Sequence, residues 1–331
     1  MGNFPAKKLL WPLLFWGFVL GGLWLAGCRP GTPGRVRQAS LREQEYLLPS
    51  PVEQVSIYYL TRDERYFVPV TLKIGPTRGA PRVAVEKLLA GAPQESLASP
   101  FPPDVKLLSL KVEKGAATLD LTGEVMKIKS REAARRAFEA LVLTLTEFRE
   151  VKAVKVLVNG NRLPELAGYR LGGPLTRPAL LNPLAPREAG RPATIYYADS
   201  WGLHLIPVTL FLPDFLPDRS AFLARVVRRL VAGPPAGSGL TPPIAPGTRV
   251  LRVEEENGIV TVDLSSEALA YGGGSTAELA FVNALVFTLT EFPGVEGVQL
   301  LFEGEKRLFL PEGTEVARPL RRPPQLNPVV L

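Results

Sequence analysis

The sequence predicts an α+β protein built from two tandem copies of one fold, each a mostly antiparallel sheet with two helices on one face. One observation is an internal repeat of about 140 residues, too long for a solenoid unit and long enough for a domain. The other is the pattern within each copy, where short strands separated by turn residues outnumber two helical segments.

The repeat is visible in segments that occur in the same order in both copies. Ile57-Tyr58-Tyr59 returns 138 residues later as Ile195-Tyr196-Tyr197. The other matched pairs are 68–72 with 206–210, 115–121 with 258–264, and 143–148 with 287–292. A residue proposed to do chemistry can therefore be compared with its counterpart in the other copy.

Two strands open each copy, at residues 55–60 and 66–72 in the first copy and 194–198 and 204–210 in the second. Pro69 and Pro207 occupy matched positions in the second strand. Because proline cannot donate to a β-ladder, this strand is predicted to lie at a sheet edge or to carry a bulge.

A helix follows, and Gly91 and Gly233 end it at equivalent places. A hairpin comes next, for which Asn257-Gly258 is a strong turn signal. The first copy has Lys114-Gly115 at the same turn.

A longer helix is predicted over residues 130–148 and again over 275–292. In the second copy, Ser275 and Glu278 have the spacing of a capping box. Each copy then closes with a strand, at 153–158 and 297–302, which gives the order ββαββαβ.

The segment that follows each copy also repeats. Leu175-Thr176-Arg177-Pro178 and Leu181-Asn182-Pro183 match Leu320-Arg321-Arg322-Pro323 and Leu326-Asn327-Pro328. A plain linker would not repeat in register with a C-terminus, so we expect this segment to pack onto its own domain. The predicted boundaries are a first domain at 53–183, a linker at 184–192 and a second domain at 193–331.

Residues 1–28 have the features of a lipoprotein signal peptide. Lys7 and Lys8 precede an apolar run that ends in Leu25-Ala26-Gly27-Cys28, and the small residues before the cysteine resemble a lipobox. Cys28 is then the lipidated first residue of the mature chain, followed by a Pro- and Arg-rich tether at 29–52. An uncleaved membrane helix is the alternative. Either reading places the body at the cell membrane, on its extracytoplasmic face.

The net charge of +7 and the single cysteine limit the partners and the chemistry. One cysteine excludes disulfides within the chain. Outside the cytoplasm the available anions are lipid headgroups, peptidoglycan and anionic wall polymers, and acidic proteins, so nucleic acid is not an expected partner. The alternative is that the arginines only solvate the Pro-rich connecting segments.

Together with the lipobox and the duplication, two motifs resemble those of the GerMN domain of spore germination and sporulation lipoproteins. They are Gly-x-x-Thr-(Leu/Val)-Asp-Leu and Thr-Leu-Thr-Glu-Phe, the latter at 144–148 and 288–292. The match covers about residues 53–316. The resemblance implies a fold similar to the ring-building motifs of secretion-system proteins, and a non-enzymatic envelope protein that supports a transenvelope complex. GerMN domains also occur in envelope proteins outside sporulation.

The sequence offers no shared catalytic constellation. His204 is the only histidine, and its counterpart in the first copy is Tyr66. A Ser-His-Asp site could therefore exist only in the second copy. No cluster has zinc-ligand spacing, and no Gly-rich segment continues as a phosphate loop. We therefore expect no enzymatic activity, no cofactor and no metal.

Paired carboxylates need separate consideration because wall hydrolases use them. Asp120 matches Asp263, and Glu147 matches Glu291. We expect Asp120 to accept hydrogen bonds from the turn that follows it, and Glu147 to face solvent or pair with an arginine. Glycan chemistry and partner contact are the alternatives.

The tyrosine pairs are the remaining shared candidates for a surface. Adjacent strand residues face opposite sides, so one tyrosine of each pair is expected in the core and the other outside. Strand propensity alone would explain both pairs. The candidate partner contacts are accordingly Tyr58, Tyr59, Tyr196, Tyr197, Glu147 and Glu291.

These observations predict a membrane-tethered extracytoplasmic assembly factor, acting in sporulation or germination, that contacts envelope or sporulation-complex proteins. A peptidoglycan-binding or wall-remodelling lipoprotein is the alternative. A solute-binding lipoprotein is disfavoured because such proteins close two α/β lobes over a cleft, whereas most neighbouring strands here form hairpins.

Overall fold

The computed structural model describes residues 46–184, 190–213 and 218–329, and 42–331 cluster as one compact unit. The predicted signal peptide with Cys28, and most of the predicted tether, lie outside the described residues. Within the described ranges, no helix is both long enough and apolar enough to cross a membrane.

The first repeat follows the predicted order, with short additional strands. Its elements are β1 (Val52–Thr61), β2 (Phe67–Thr77), α1 (Ala80–Leu89), β3 (Leu97–Ala98), β4 (Leu107–Glu113), β5 (Ala116–Leu121), a 3-10 helix (Gly123–Lys127), α2 (Arg131–Leu145), β6 (Ala153–Val158), β7 (Asn161–Arg162), β8 (Glu165–Leu166), β9 (Tyr169–Arg170) and β10 (Leu175–Thr176).

The second repeat has the same main elements. They are β11 (Arg191–Ala198), β12 (Leu205–Leu212), α3 (Arg219–Val231), β13 (Val250–Glu256), β14 (Ile259–Leu264), a 3-10 helix (Ser266–Leu269), α4 (Ser275–Leu289), β15 (Gly297–Phe302) and β16 (Pro328–Val329). The α+β fold in two tandem copies is thus confirmed.

The main strands of each repeat form two hydrogen-bonded sheets rather than one continuous sheet, and β8 and β9 of the first repeat form a separate two-stranded sheet. One is the antiparallel β1–β2 hairpin, or β11–β12 in the second repeat. The other has β5 between antiparallel β4 and parallel β6, and β14 lies in the same way between β13 and β15. The parallel pair arises because a helix connects its two strands, as a crossover requires.

The hairpin turns explain why the second copy has Asn-Gly. Lys114 and Gly115 both have positive φ, 49° and 79°, and Asn257 and Gly258 have 50° and 78°. A tight two-residue turn requires this left-handed geometry, which asparagine and glycine adopt at low cost. Lys114 adopts it without that advantage.

Gly91 and Gly233 follow the ends of α1 and α3 as predicted, whereas α2 and α4 each end three residues before the predicted bound. Ser130 caps α2 by accepting a hydrogen bond from the Ala133 amide. The predicted capping box at Ser275 and Glu278 is wrong, because the N-cap is Gly274 and no side chain caps the helix. The Glu278 carboxylate is buried instead and accepts hydrogen bonds from the amides of Glu312 and Thr314.

The repeated tails cross between the repeats. Each begins on its own repeat, since β10 pairs with β6 and Leu320 bridges to Val298. Each ends on the other, since Pro183 bridges to Thr209 of β12 and β16 pairs in parallel with β2. The expectation that the tail packs onto its own domain is therefore confirmed for its first part and wrong for its end.

Candidate functional site: a cleft between the two repeats

A tyrosine, a glutamate and an arginine from three separate elements meet in the first repeat. The Tyr58 hydroxyl donates to Glu147 Oε1 at 2.9 Å. Arg177 Nη2 donates to the same Glu147 oxygen and to the Tyr58 hydroxyl, at 2.8 Å in each case. This Tyr–Glu–Arg triad ties β1, the end of α2 and the tail together.

The second repeat has the equivalent triad of Tyr196, Glu291 and Arg322. The tyrosine hydroxyl lies 2.8 Å from Glu291 Oε1, and Arg322 Nη2 lies 2.7 Å from that oxygen and 3.2 Å from the hydroxyl. Each arginine also donates to the last turn of its helix, at Leu143 and Thr146 or at Phe287 and Thr290. Two copies with the same contacts show that the arrangement belongs to the fold of the repeat.

Burial and the neighbouring carboxylate keep the triad tyrosines protonated. Burial raises the pKa of Tyr58 and Tyr196 well above the usual value, and Glu147 or Glu291 raises it further, while the arginine partly opposes this. The guanidinium lies over the ring, with its carbon 5.4 Å from the Tyr58 centroid and 5.9 Å from that of Tyr196. The raised pKa thus keeps each tyrosine in the form that donates its hydroxyl hydrogen to the glutamate.

The Thr-Leu-Thr-Glu-Phe motif has a structural explanation. The buried Thr144 hydroxyl accepts a hydrogen bond from the Tyr58 amide at 3.0 Å, and Thr288 does the same for Tyr196 at 3.1 Å. Thr146 and Glu147 then bind Arg177. The motif therefore holds the long helix against the edge of β1 and fixes the tail to both.

The two triads line a single cleft of about 500 Å³ where the repeats meet. Besides the triads, equivalent residues of both repeats form its walls, and these are Ser56 with Thr194, Pro69 with Pro207, and Thr71 with Thr209. Among the described residues, no hydrogen bond reaches Oε2 of Glu147 or Glu291, although Oε1 of each accepts two. The cleft thus presents two carboxylate oxygens that can accept further hydrogen bonds.

The structure brings four of the six predicted contact residues into this cleft: Tyr58, Tyr196, Glu147 and Glu291. Tyr59 and Tyr197 lie in the core instead and donate to the carbonyls of Lys87 and Arg229, at 3.1 and 2.9 Å. Burial raises the pKa of Tyr197 to about 12.

The expectation that one tyrosine of each pair lies outside is wrong, since all four are at most 5% exposed. The second face of β1 is covered by α2, through Ala140 and Leu143, and by Leu181 of the tail. The alternation of side chains along a strand does not predict that both faces are buried, because the residues that bury the second face come from distant parts of the chain.

Each shared aspartate binds a backbone amide of a neighbouring turn. Asp120 accepts a hydrogen bond from the Gly160 amide at 2.9 Å, and Asp263 accepts one from Gly304 at the same distance. The donor is in the turn after the neighbouring parallel strand, not in the turn directly after Asp120 as expected. The carboxylate thus fixes the end of the next strand.

His204 is buried and joins the two repeats. Its Nδ1 lies 2.8 Å from Asp199 Oδ2, and its Nε2 lies 3.0 Å from Gln94 Oε1 of the first repeat. Burial opposes the charge on Asp199, but hydrogen bonds from His204 and the Leu203 amide lower the pKa of this carboxyl overall. In the part of the chain that the structure describes, no group of three or more His, Cys, Asp or Glu side chains could hold a metal.

Sequence reasoning missed the roles of Arg177, Arg322, Asn182 and Asn327. The signal was present, because each pair occupies the same position in the repeated tails. The groups that these residues bind lie at the junction of the repeats, and the repeated sequence does not show that the tails return there.

The fold and the cleft define a tandem α+β protein in which two equivalent repeats share a junction and place matching polar triads in it. The chain belongs to the Germane family, whose model carries the description "Sporulation and spore germination" and matches residues 56–164 and 194–308. The resemblance found in the sequence is thereby confirmed, and membership supports a sporulation-related role.

Two comparisons extend this assignment. The chain is 26% identical over 286 residues to the spore germination protein GerM of Bacillus subtilis, which covers 81% of this chain and 77% of that protein. The solved tandem GerMN domains of B. subtilis GerM match with a TM-score of 0.63 and 24% identity, covering 84% of this chain and 99% of that one. At this identity the structural match shows the fold alone. The relative is named for sporulation and germination, not for an enzymatic reaction.

Proposed function

We propose that this chain is a non-enzymatic assembly factor of the cell envelope that acts in sporulation or germination. It holds a segment of another envelope protein in the cleft between its repeats. The observation that carries this proposal is the construction of the cleft, to which both repeats contribute equivalent residues so that neither forms it alone.

The chemistry of the cleft fits a bound polypeptide better than a substrate to be converted. Two arginines and two glutamates pair with each other, so the triads carry no net charge. The open Oε2 atoms suit amide, hydroxyl or lysine donors of a docked segment. The tyrosines are held protonated, and a general base would need a pKa nearer the working pH.

The membrane tether is part of the same proposal. Lipidation of Cys28 and residues 29–52 as a tether would hold the body on the extracytoplasmic face of the cell membrane. Confinement there raises the effective concentration of both partners, so a weak contact in the cleft is sufficient for assembly.

Site-specific photocrosslinking in the sporulating host tests the proposal. The probe replaces Ser56 or Thr194 in the cleft, with exposed Glu53 of the same strand as Ser56 as the control. We expect defined envelope proteins to crosslink from both cleft positions and not from the control. Equal crosslinking from all three positions, or none from the cleft, would contradict it.

Crosslinks to wall fragments alone would instead favour the peptidoglycan-binding alternative.

A second readout is the yield of heat-resistant spores when Ser56→Trp and Thr194→Trp fill the cleft. We expect a loss of at least about tenfold, with Glu53→Trp near wild type. Normal yield despite normal protein abundance would refute the role of the cleft.

A further inference from the structure

Four exposed basic side chains lie at one end of the first repeat, and we call this surface the basic end: Lys114, Arg149, Lys152 and Lys155. Two turns meet there, because the Lys152 amide, after α2, donates to the Gly115 carbonyl of the β4–β5 hairpin at 2.7 Å. Lys155 follows on the exposed side of β6. Within the described residues, none of the four has an ion pair or a side-chain hydrogen bond, so their charges are available to a partner.

The second repeat has no counterpart of this surface. Residues 111–114 and 149–155 contain five Lys and Arg against two Glu, a net charge of +3. The matched residues 254–257 and 293–299 contain no Lys or Arg and four Glu, a net charge of −4. The basic end is therefore a property of the first repeat and not of the fold that the two repeats share.

The shared fold does not account for the lysines at these positions. Lys114 has a φ of 49° in a turn where the second repeat has Asn257, and asparagine tolerates this left-handed geometry better than lysine does. Lys155 is exposed, whereas its counterpart Gln299 is buried and donates to the Val316 carbonyl. The first repeat thus carries a charge at the tip of the turn at some cost to the stability of that turn.

The chain enters the body beside the basic end. Tyr46 is the first described residue, and it packs against the core. Burial raises the pKa of its hydroxyl, and the charge on Glu150 raises it further, which places Tyr46 near the turn between α2 and β6. Residues 29–45 reach at most about 60 Å when fully extended. A tether of that length permits many orientations of the body, so a surface contact is needed to select one.

We propose that the basic end docks on the anionic lipid headgroups of the membrane that carries the chain. The proposal rests on the membrane tether proposed above and adds which face of the body lies on the bilayer. Each Lys or Arg near an anionic bilayer strengthens adsorption about fivefold, and the tether keeps the surface at a high effective concentration. None of the four basic residues lines the cleft, so docking leaves the cleft residues free to bind a partner.

Fluorescence quenching on the lipidated chain in vesicles tests the proposal. Cys28 is acylated in the tethered chain, so a cysteine that replaces Glu113 carries the fluorophore alone. Glu256 is the matched control, because both glutamates are exposed and end equivalent strands. Vesicles of phosphatidylcholine with a quencher on the headgroup are compared with vesicles that also contain phosphatidylglycerol. We expect strong quenching at position 113 in the anionic vesicles, weaker quenching in neutral vesicles or at high salt, and no such difference at position 256.

Substitutions that introduce the residues of the second repeat give the sharpest comparison. Lys114→Asn removes one charge and relieves the strain of the turn, so a loss of docking cannot arise from unfolding. The ratio of docked to undocked chain should fall about fivefold for Lys114→Asn and about 25-fold for Lys152→Glu, which reverses the charge. Lys129→Asn, at an exposed position beyond the other end of β5, should leave the ratio unchanged.

Equal quenching at position 113 in neutral and anionic vesicles, or no response to the two substitutions, would overturn the proposal. If the substitutions instead abolish co-sedimentation with purified anionic wall polymer, while anionic vesicles quench no more than neutral ones, the surface binds the wall and the lipid proposal is wrong. Flotation of the same vesicles separates docking from the tether. A chain that floats without docking keeps the tether and rejects the docking alone, whereas a chain that does not float rejects both.

Discussion

Asn182 and Asn327 make the same hydrogen bonds on opposite sides of the junction between the repeats. Asn182 Nδ2 donates to the carbonyls of Phe67 and Pro207, at 2.8 Å each, and its Oδ1 accepts from the Phe67 amide. Asn327 does the same with Leu205 and Pro69. Each asparagine thereby holds β2 of the first repeat and β12 of the second.

This relationship explains the two prolines predicted to mark an edge strand. Pro69 lies in β2 and Pro207 in β12, and these two strands approach each other at the junction. Proline has no backbone N–H, so neither residue leaves an unpaired donor there. Their carbonyls are instead used by the asparagines from the tails. The prediction of an edge strand is confirmed for β12, whereas β2 lies between β1 and β16, so its outer side is covered by the tail that follows the second repeat.

Replacing Asn182 by alanine should lower the free energy of unfolding by about 3 kcal/mol, because buried backbone groups of both repeats lose their partners. Part of that loss comes from the backbone, since Asn182 has a φ of 47° that alanine adopts poorly. Asn182→Gly removes the side chain without this strain and should cost about 1 kcal/mol less. Urea denaturation measures both, and equal stability of Asn182→Ala and wild type would refute the role.

Thr144→Val should destabilise the first repeat by about 1–3 kcal/mol, because it removes the acceptor of the buried Tyr58 amide at nearly constant volume. Thr144→Ser keeps the hydroxyl and should cost less than half as much. Thr288→Val is the matched change in the second repeat and should behave alike. Chemical denaturation compares the series, with Thr118→Val on a half-exposed strand position as the control. A loss no greater than that of the control would show that the hydrogen bond is dispensable.

Deleting residues 318–331 should lower the melting temperature by at least about 5 °C, since the deletion removes Arg322, Asn327 and β16. The structure adds a sharper expectation at Thr71 of the first repeat, whose amide donates to the Leu326 carbonyl. Hydrogen exchange at Thr71 should lose protection in the deletion variant. A variant of full length with residues 323–329 replaced by Gly and Ser should behave in the same way, which would exclude an effect of chain length. Retained protection at Thr71 would contradict the crossing of the tail.

Stability should fall at alkaline pH because of the buried tyrosines. Tyr58, Tyr59, Tyr196 and Tyr197 have a pKa above the ordinary value of 10.0 in the folded state, chiefly through burial. Their contribution is fully present below pH 10.0 and is lost as the pH rises through the raised values, because the unfolded chain ionises first. Titration of tyrosine absorbance should show these groups ionising late, together with unfolding. Ionisation of all eight tyrosines near pH 10.0 in the folded protein would contradict this.

Local patterns were sufficient to predict the repeat, the order of its main elements and several exact bounds. Strands β6 and β15 begin and end where expected, and Ser130, Gly91 and Gly233 lie at the helix ends as predicted. Such features depend on residues that are neighbours in the chain. The capping box predicted at Ser275 does not form, because the Glu278 carboxylate instead accepts hydrogen bonds from amides 34 and 36 residues further along the chain.

The candidate site was found in part. The repeat directed attention to Tyr58, Glu147 and their counterparts, but not to the arginines that join them, which lie 119 and 126 residues from the tyrosines. The alternation of side chains along a strand predicted that one tyrosine of each pair is exposed. That alternation carries no information about the tail, which covers the second face of the strand.

The sequence alone determined the duplication, the α+β class and the family, because these depend on periodicity, turn chemistry and motifs carried by short segments. Only the tertiary structure decided that the tails cross, that the motif glutamates bind within the chain and that the two repeats share one cleft. The physical reason is that hydrogen bonds such as those of Asn182 and Asn327 form between segments brought together by packing of the whole chain, and local preferences do not encode which distant edge will satisfy them.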